Sequence, residues 1–235
     1  MTLYLISLGL NDEKDISLKG LEALKKCSEI YLENYTSFLQ VSKEKLEKFY
    51  GKKIILANRE FVESNFPLEK AKKQNIALLM IGDVFSATTH ISLFLEAKKN
   101  KIEVKVIHNA SVLTAIGITG LSLYKFGQVI SIPSNYKQTS SPYENFQVNY
   151  KNNLHTLFLL DLDLEIKDAL NYLISKGLDK KTLCVACEKL GSEKQKIKTA
   201  SAEKLLKENF GKPSCLIIPY KKLHFIEEEA IEQWE

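Results

Sequence analysis

Apolar residues along this chain of 235 residues fall into two rhythms. Residues 3–8, 30–32, 54–57, 76–81 and 104–107 are short runs with little or no polar alternation. Strands covered on both faces read this way, so the runs predict a parallel sheet. Segments of helical period lie between them. Residues 17–26 carry Leu18, Leu21 and Leu24 three apart, and residues 91–99 place Leu93, Phe94 and Ala97 on one side. Strand and helix in alternation predict an α/β domain with a parallel sheet over residues 1–108.

From residue 109 the pattern changes. Longer strands are expected at 127–132, 156–162, 182–188 and 216–220, and helices at 166–176 and 200–209, with Gly177 and Gly211 where a helix would stop. Asn109 opens an Ala- and Gly-rich stretch, 110–121, that reads as helical. Residues 133–142, with Ser134, Tyr136, Ser140 and Ser141, read as a long loop of the kind that often serves function. A second α/β domain with a mixed sheet is therefore expected over residues 109–235, and no repeat of solenoid period is visible.

Composition narrows the partners. With 45% hydrophobic and 26% charged residues the chain can bury a sizeable core, and 10 Gly with 5 Pro are too few for a collagen-like or disordered polymer. The net charge of +4 is spread along the chain and leaves no basic arm for nucleic acid. Residues 1–10 show no basic leader or cleavage site, and no apolar run nears the roughly 18 residues of a membrane span, so a cytoplasmic protein with no membrane association is expected. The four cysteines, Cys27, Cys184, Cys187 and Cys215, read as free buried thiols.

Candidate chemistry clusters after the strands. Ile81-Gly82-Asp83 ends a strand and leads through Val84-Phe85-Ser86-Ala87-Thr88-Thr89-His90 into a helix, which is where an open α/β sheet binds ligands. Asp83 can accept hydrogen bonds from a hydroxyl or an ammonium; the plainer alternative makes Asp83 and Ser86 helix caps. Ser7-Leu8-Gly9-Leu10-Asn11-Asp12 is a second loop of this kind. Neither G-x-G-x-x-G nor a phosphate loop occurs, which disfavours nicotinamide enzymes and ATPases and suits a ligand without a phosphate chain. Cys184 and Cys187 lie three apart on a strand, where side chains point to opposite faces, so no metal is expected between them. His90, His108, His155 and His224 have no metal spacing and read first as structural residues, and G-x-S-x-G is absent.

An ordered set of motifs goes further. It comprises Leu3-Tyr4-Leu5-Ile6-Ser7-Leu8-Gly9-Leu10, residues 12–22, Glu33-Asn34-Tyr35-Thr36-Ser37, Gly82-Asp83 with Ala87-Thr88-Thr89-His90, Val106-Ile107-His108-Asn109-Ala110-Ser111, residues 117–121, Tyr124-Lys125-Phe126-Gly127, Leu154-His155-Thr156-Leu157 and Leu223-His224. Together these closely resemble the diphthine synthases, members of the tetrapyrrole methylase superfamily, over nearly the whole chain. The resemblance implies a cofactor cleft between two α/β domains, S-adenosylmethionine as cofactor, and methylation of the amino group of 2-(3-amino-3-carboxypropyl)histidine on translation elongation factor 2. The product would be diphthine, a step towards diphthamide.

Carried over position by position, the cofactor contacts are Leu10, Asp83, Ser86, Ser111, Val112, Leu160, Thr199 and His224. The family usually has Pro after Gly-Asp, where this chain has Val84 and Phe85. An α-amino group titrates near 7.7 to 8.0, so part of it is neutral at cytoplasmic pH, a strong general base is dispensable and no catalytic residue is expected. A homodimer is also implied, and Phe38, Leu39, Phe49, Tyr50, Phe61 and Phe66 flank the first sheet as candidates for a partner to cover. Two alternatives stand beside this: a methyltransferase acting on a corrin or porphyrin precursor, whose polyanionic substrate would favour a basic trough, and a module that binds S-adenosylmethionine without turnover.

Overall fold

A computed structural model describes residues 1–37 and 40–235. The chain divides into two compact units, Met1–Leu113 and Thr114–Glu235. Phe38 and Leu39 lie outside the described residues.

The first unit is built on five parallel strands, β1 (Thr2–Ser7), β2 (Glu29–Glu33), β3 (Ile55–Ala57), β4 (Ile76–Met80) and β5 (Glu103–Ile107), in the order β3-β2-β4-β1-β5. Every residue of β1 and of β4 is buried. The strand period of two sorts them into two cores: Leu3, Leu5, Ile76, Leu78 and Met80 face one side, Tyr4, Ile6, Ala77 and Leu79 the other. Full burial of each aliphatic chain is worth about 1.5–3 kcal/mol, which is why the unbroken apolar runs become central strands.

Helix Leu18–Lys25 starts where Ser17 Oγ accepts the Gly20 N–H at 3.1 Å. Its buried residues are Gly20, Ala23 and Leu24, while Leu18 is exposed. A spacing of three loses about 60° of turn per step on a helix of 3.6 residues, so Leu18, Leu21 and Leu24 do not share one face. Helix Ile91–Lys99 buries Leu93 and Ala97, as its pattern predicts.

The second unit is a mixed sheet of β6 (Ile130–Ile132), β7 (Thr156–Leu160), β8 (Leu183–Glu188), β9 (Lys196–Ser201) and β10 (Ser214–Ile218), ordered β6-β7-β10-β8-β9. Only β6 and β7 run parallel; the other pairs are antiparallel. One face packs on helices Ser141–Lys151, Ile166–Lys176 and Ala202–Leu205 through Phe146, Phe158, Leu170, Leu173, Leu205 and Leu216.

Three expectations need correcting here. Residues 200–209 are not one helix, because Ala200 and Ser201 finish β9 and the helix spans only Ala202–Leu205. In Lys-Ile-Lys-Thr-Ala-Ser the lysines mask a period of two, with Ile197 and Thr199 buried; lysines suit an edge strand. The loop read at 133–142 ends early, since helix Ser141–Lys151 starts with Pro142 in its first turn. Residues 110–121 fold as the short helix Val112–Ala115 followed by a 3₁₀ turn, Ile116–Thr119.

Cys184 faces the helix-packed core with Ala186, whereas Cys187 points to the other face, where it lies opposite Cys215 in the ladder. All four cysteines are free and buried. Burial pushes the Cys184 thiol up to about 12 and the Cys27 thiol up to about 11, so neither offers a thiolate.

Candidate functional site

The carboxyl end of the first sheet is built around Asp83. Gly9, after β1, and Gly82, after β4, exchange two main-chain hydrogen bonds of 3.2 and 2.7 Å. Both have positive φ, 81° and 77°, which glycine adopts without strain. A Cβ at Gly9 would lie 2.7 Å from Asp15 Cβ, so the folding of the loop after β1 back on itself requires glycine there. Leu10 is fixed beside this bridge: its N–H donates to Asp15 Oδ2 at 3.0 Å and its carbonyl accepts from Gln40 Nε2 at 3.0 Å. Leu10, Asn11, Gln40 and Ile81 line a small cavity here.

Asp83 is buried and collects donors from three loops. Oδ1 accepts the Phe85 N–H at 3.0 Å; Oδ2 accepts the Asn109 N–H at 3.2 Å, the Ser7 hydroxyl at 3.3 Å and His108 Nδ1 at 2.9 Å. Burial works to raise this carboxyl, but the bonds from Phe85, His108 and Asn109 outweigh it and hold Asp83 below the usual carboxylate range. The site therefore presents a fixed negative charge. Asp83 does not cap the following helix, whose N-cap is His90.

Ser7 Oγ is aimed by the Val84 N–H, which donates to it at 2.9 Å. A proline at 84 could not make this bond; with valine there, Ser7 Oγ accepts from Val84 while it donates to Asp83. Val84 and Phe85 also join the apolar core, with Phe85 edge-on to Phe94.

Of the residues singled out in the sequence, the structure gathers Leu10, Asp83, Ser86 and Ser111 at this end. Ser86 Oγ lies 3.4 Å from Asp83 Oδ1, and Ser111 Cα is 4.0 Å from where a Cβ of Gly82 would stand. Val112 follows Ser111 and starts the short helix. Sequence reasoning missed Ser7 and Asn109. The Asn109 amide spans two loops, donating to Asp15 O at 2.8 Å and Ser7 O at 3.3 Å. Their places just after β5 and at the end of β1 were the available signal.

The second unit holds Leu160, Thr199 and His224. Leu160 ends β7 and packs on the helix-covered face. Thr199 points to the opposite face, since it is the ladder partner of Val185 and so alternates with Cys184 and Ala186. The two side chains therefore lie on opposite faces of the second sheet. Thr199 is buried, its N–H donates to Trp234 O at 2.7 Å, and its hydroxyl has no protein partner. His224 caps helix Phe225–Glu232, with Nδ1 accepting the Ile226 N–H at 3.3 Å; the ring hydrogen must then sit on Nε2.

Below His224 lies a buried carboxylate. Glu227 Oε1 accepts the Ser122 N–H at 2.9 Å and His155 Nε2 at 3.3 Å; Oε2 accepts the His224 N–H at 2.9 Å and Lys125 Nζ at 2.6 Å. Burial would raise this carboxyl, yet Lys125 and the two amides drive it far below the carboxylate range. His155 Nδ1 accepts the Tyr220 N–H at 2.9 Å, which leaves its hydrogen on Nε2, and burial lowers its pKa against the pull of Glu227.

Comparison with known proteins fits this geometry. Residues 2–206 match the family of tetrapyrrole (corrin/porphyrin) methylases. The chain is similar to the diphthine methyl ester synthase of Dictyostelium discoideum, 40% identical with 99% of this chain and 97% of that protein covered. It is also similar to the diphthine synthase of Methanosarcina barkeri, 41% identical with 97% and 94% covered. A crystal structure of a diphthine synthase superposes with a TM-score of 0.94 at 37% identity, covering 100% of this chain and 96% of the other.

Proposed function

The chain belongs to the tetrapyrrole methylase family and within it to the diphthine synthases, and from that premise we propose that it methylates the amino group of 2-(3-amino-3-carboxypropyl)histidine on translation elongation factor 2, with S-adenosylmethionine as donor. The product is diphthine, on the route to diphthamide. The observation that carries this reading is the ionised, five-donor Asp83 carboxylate at the carboxyl end of a parallel sheet whose loops lack any phosphate-binding glycine pattern.

The residues present suit the cofactor. A fixed carboxylate accepts from hydroxyl or ammonium groups, and the buried Thr199 hydroxyl lacks a partner that a polar ligand would supply. Leu10, Ser86, Ser111 and Val112 in the first unit, and Leu160, Thr199 and His224 in the second, complete the proposed set. His224 contributes an Nε2–H donor. S-adenosylmethionine, when bound, supplies a methyl group activated by a sulfonium. The chain's own task is to hold the acceptor nitrogen in line with that methyl, and orientation of this kind accounts for much of the rate in such displacements.

Incubating the protein with methyl-labelled S-adenosylmethionine and elongation factor 2 carrying the precursor side chain is expected to label a histidine-containing peptide. Mass gives the number of methyl groups. Because relatives are named for a methyl ester, mild base is the control: label on nitrogen survives it, label on a carboxylate is lost. Transfer to a tetrapyrrole alone would overturn the assigned substrate, and binding without transfer would overturn the enzyme reading.

The proposed setting is cytoplasmic, without nucleic acid or membrane as partner; among the described residues no helix is long and apolar enough to cross a bilayer. A homodimer is part of the proposal. Tyr50 is buried within its own unit and Phe61 packs on Tyr31 and Phe66, but Phe49 and Phe66 stay about half exposed, as do Ile55 and Leu56 on edge strand β3. Light scattering is expected to give twice the chain mass of 26.8 kDa; the single-chain value would return these side chains to ordinary surface.

A further inference from the structure

Methylating an amine moves protons as well as methyl groups. A primary ammonium must lose a proton before its nitrogen has a lone pair, and each transfer short of a quaternary product yields another ammonium that must lose one. The four histidines differ sharply in whether they could accept it. His155 uses both ring nitrogens, Nδ1 on the Tyr220 N–H and Nε2 on Glu227. His224 has Nδ1 occupied by the Ile226 N–H, so its outward nitrogen already carries hydrogen. His90 gives its Nδ1 hydrogen to Val84 O at 3.2 Å, and its Nε2 is enclosed in a side chain 2% exposed. His108 is unlike these.

His108 follows β5 at the same sheet end as the proposed methyl-transfer site. Its Nδ1 stands 2.9 Å from Asp83 Oδ2. An ionised carboxylate only accepts, so the hydrogen is on Nδ1 and the basic lone pair on Nε2. The side chain is 66% exposed, which leaves that lone pair open. Asp83 cannot turn away, because Phe85, Asn109 and Ser7 hold it, and the Phe85 ring flanks the imidazole with centroids 6.1 Å apart. Among the described residues Asp83 is the charged group paired with His108. Lys105 and Glu103 on the same strand pair with each other, and Asp15 on the neighbouring loop is taken by the Leu10 and Asn11 amides.

We propose that His108 Nε2, oriented by Asp83, accepts the proton of the substrate amine, a role that rests on the methyltransferase reading above. The nitrogen's N–H electron pair becomes its lone pair and the proton passes to Nε2, forming an imidazolium balanced by the Asp83 carboxylate. The lone pair then forms the N–C bond while the C–S bond of the methylsulfonium donor breaks, its electrons leaving on sulfur as a neutral thioether. The exposed imidazolium returns its proton to solvent before the next round.

His108→Asn tests this, since its amide N–H can replace Nδ1–H towards Asp83 while no basic atom replaces Nε2. At pH 7 its kcat is expected to fall about 5- to 10-fold, because an α-amino group titrating near 7.7–8.0 is then only roughly a tenth neutral without the acceptor. KM for the donor and calorimetric affinity for S-adenosylhomocysteine should stay within about twofold. The deficit should shrink above pH ~8, where solvent supplies the neutral amine. A readout independent of turnover is the ¹⁵N spectrum of the resting protein, expected to show His108 protonated on Nδ1 and bare on Nε2. Wild-type rates in His108→Asn, a loss that does not change with pH, or hydrogen on Nε2 would each overturn the proposal. Absence of methyl transfer by the wild-type chain would overturn the function itself, whatever the tautomer.

Discussion

Glu227→Gln is expected to destabilise the second unit by about 3–5 kcal/mol, the usual cost of removing one partner from a buried charged cluster. The carboxylate accepts four hydrogen bonds, from two main-chain amides, Lys125 and His155, and is 2% exposed. A glutamine offers one acceptor oxygen and turns an NH₂ towards donors, leaving at least one of the pairs facing like hydrogens. Trp234, the one tryptophan in the sequence, reports on this region because its carbonyl holds the Thr199 N–H. Urea unfolding followed by its fluorescence is therefore the measurement. A change below about 0.5 kcal/mol would mean that the donors find other partners and that Glu227 is not the fastening assigned to it.

The pH dependence of the same unfolding has a definite sign. Glu227 has its folded pKa depressed, so its contribution is complete above the unfolded value near 4.3 and declines as pH falls below it towards the folded value. His155 is buried neutral with a lowered pKa, so the unfolded chain binds more protons below about pH 6.5 and stability starts to decline there. The wild-type protein should lose stability in two stages on acidification. Glu227→Gln should keep a decline near pH 6.5 and lack the steeper one below about 4.3.

What was legible in the sequence follows from how many residues each feature needs. Strands β1 and β4 declare themselves because both faces are buried, and helix Ile166–Lys176 because five of its eleven residues are buried at helical spacing. β9 was hidden by Lys196 and Lys198, which alternate with its buried residues, and the Leu18 face by a spacing that only three-residue periodicity makes look continuous. In the candidate site, Asp83 and Ser86 could be singled out from the strand-loop-helix rule alone. The tautomers of His108, His155 and His224 could not, since each is set by one contact from a residue 2 to 65 positions away. Nor could the opposition of Leu160 and Thr199 across the second sheet, which depends on ladder register.

Asp83→Ala is expected to weaken cofactor binding by about 1–3 kcal/mol, or some 5- to 150-fold, if a donor on the ligand loses its buried acceptor. The alanine also strands the Phe85 and Asn109 amides, so Asp83→Asn serves beside it: its amide oxygen can keep the Phe85 N–H while the charge is gone. Calorimetry with S-adenosylhomocysteine at pH 7, on variants whose circular dichroism matches the parent, separates lost affinity from lost fold. The depressed pKa adds a second expectation. Asp83 remains ionised from pH 8 down past pH 5, so wild-type affinity should not change through protonation of this group until the solution is more acid than about pH 4. Because Oδ2 holds His108, Asp83→Ala should release the ring to mixed tautomers in the ¹⁵N spectrum, whereas the amide NH₂ of Asp83→Asn should donate to Nδ1 and move the ring hydrogen to Nε2. Unchanged affinity in a folded Asp83→Asn variant would remove the carboxylate from the cofactor site and leave it a fastening between the β1, β4 and β5 loops.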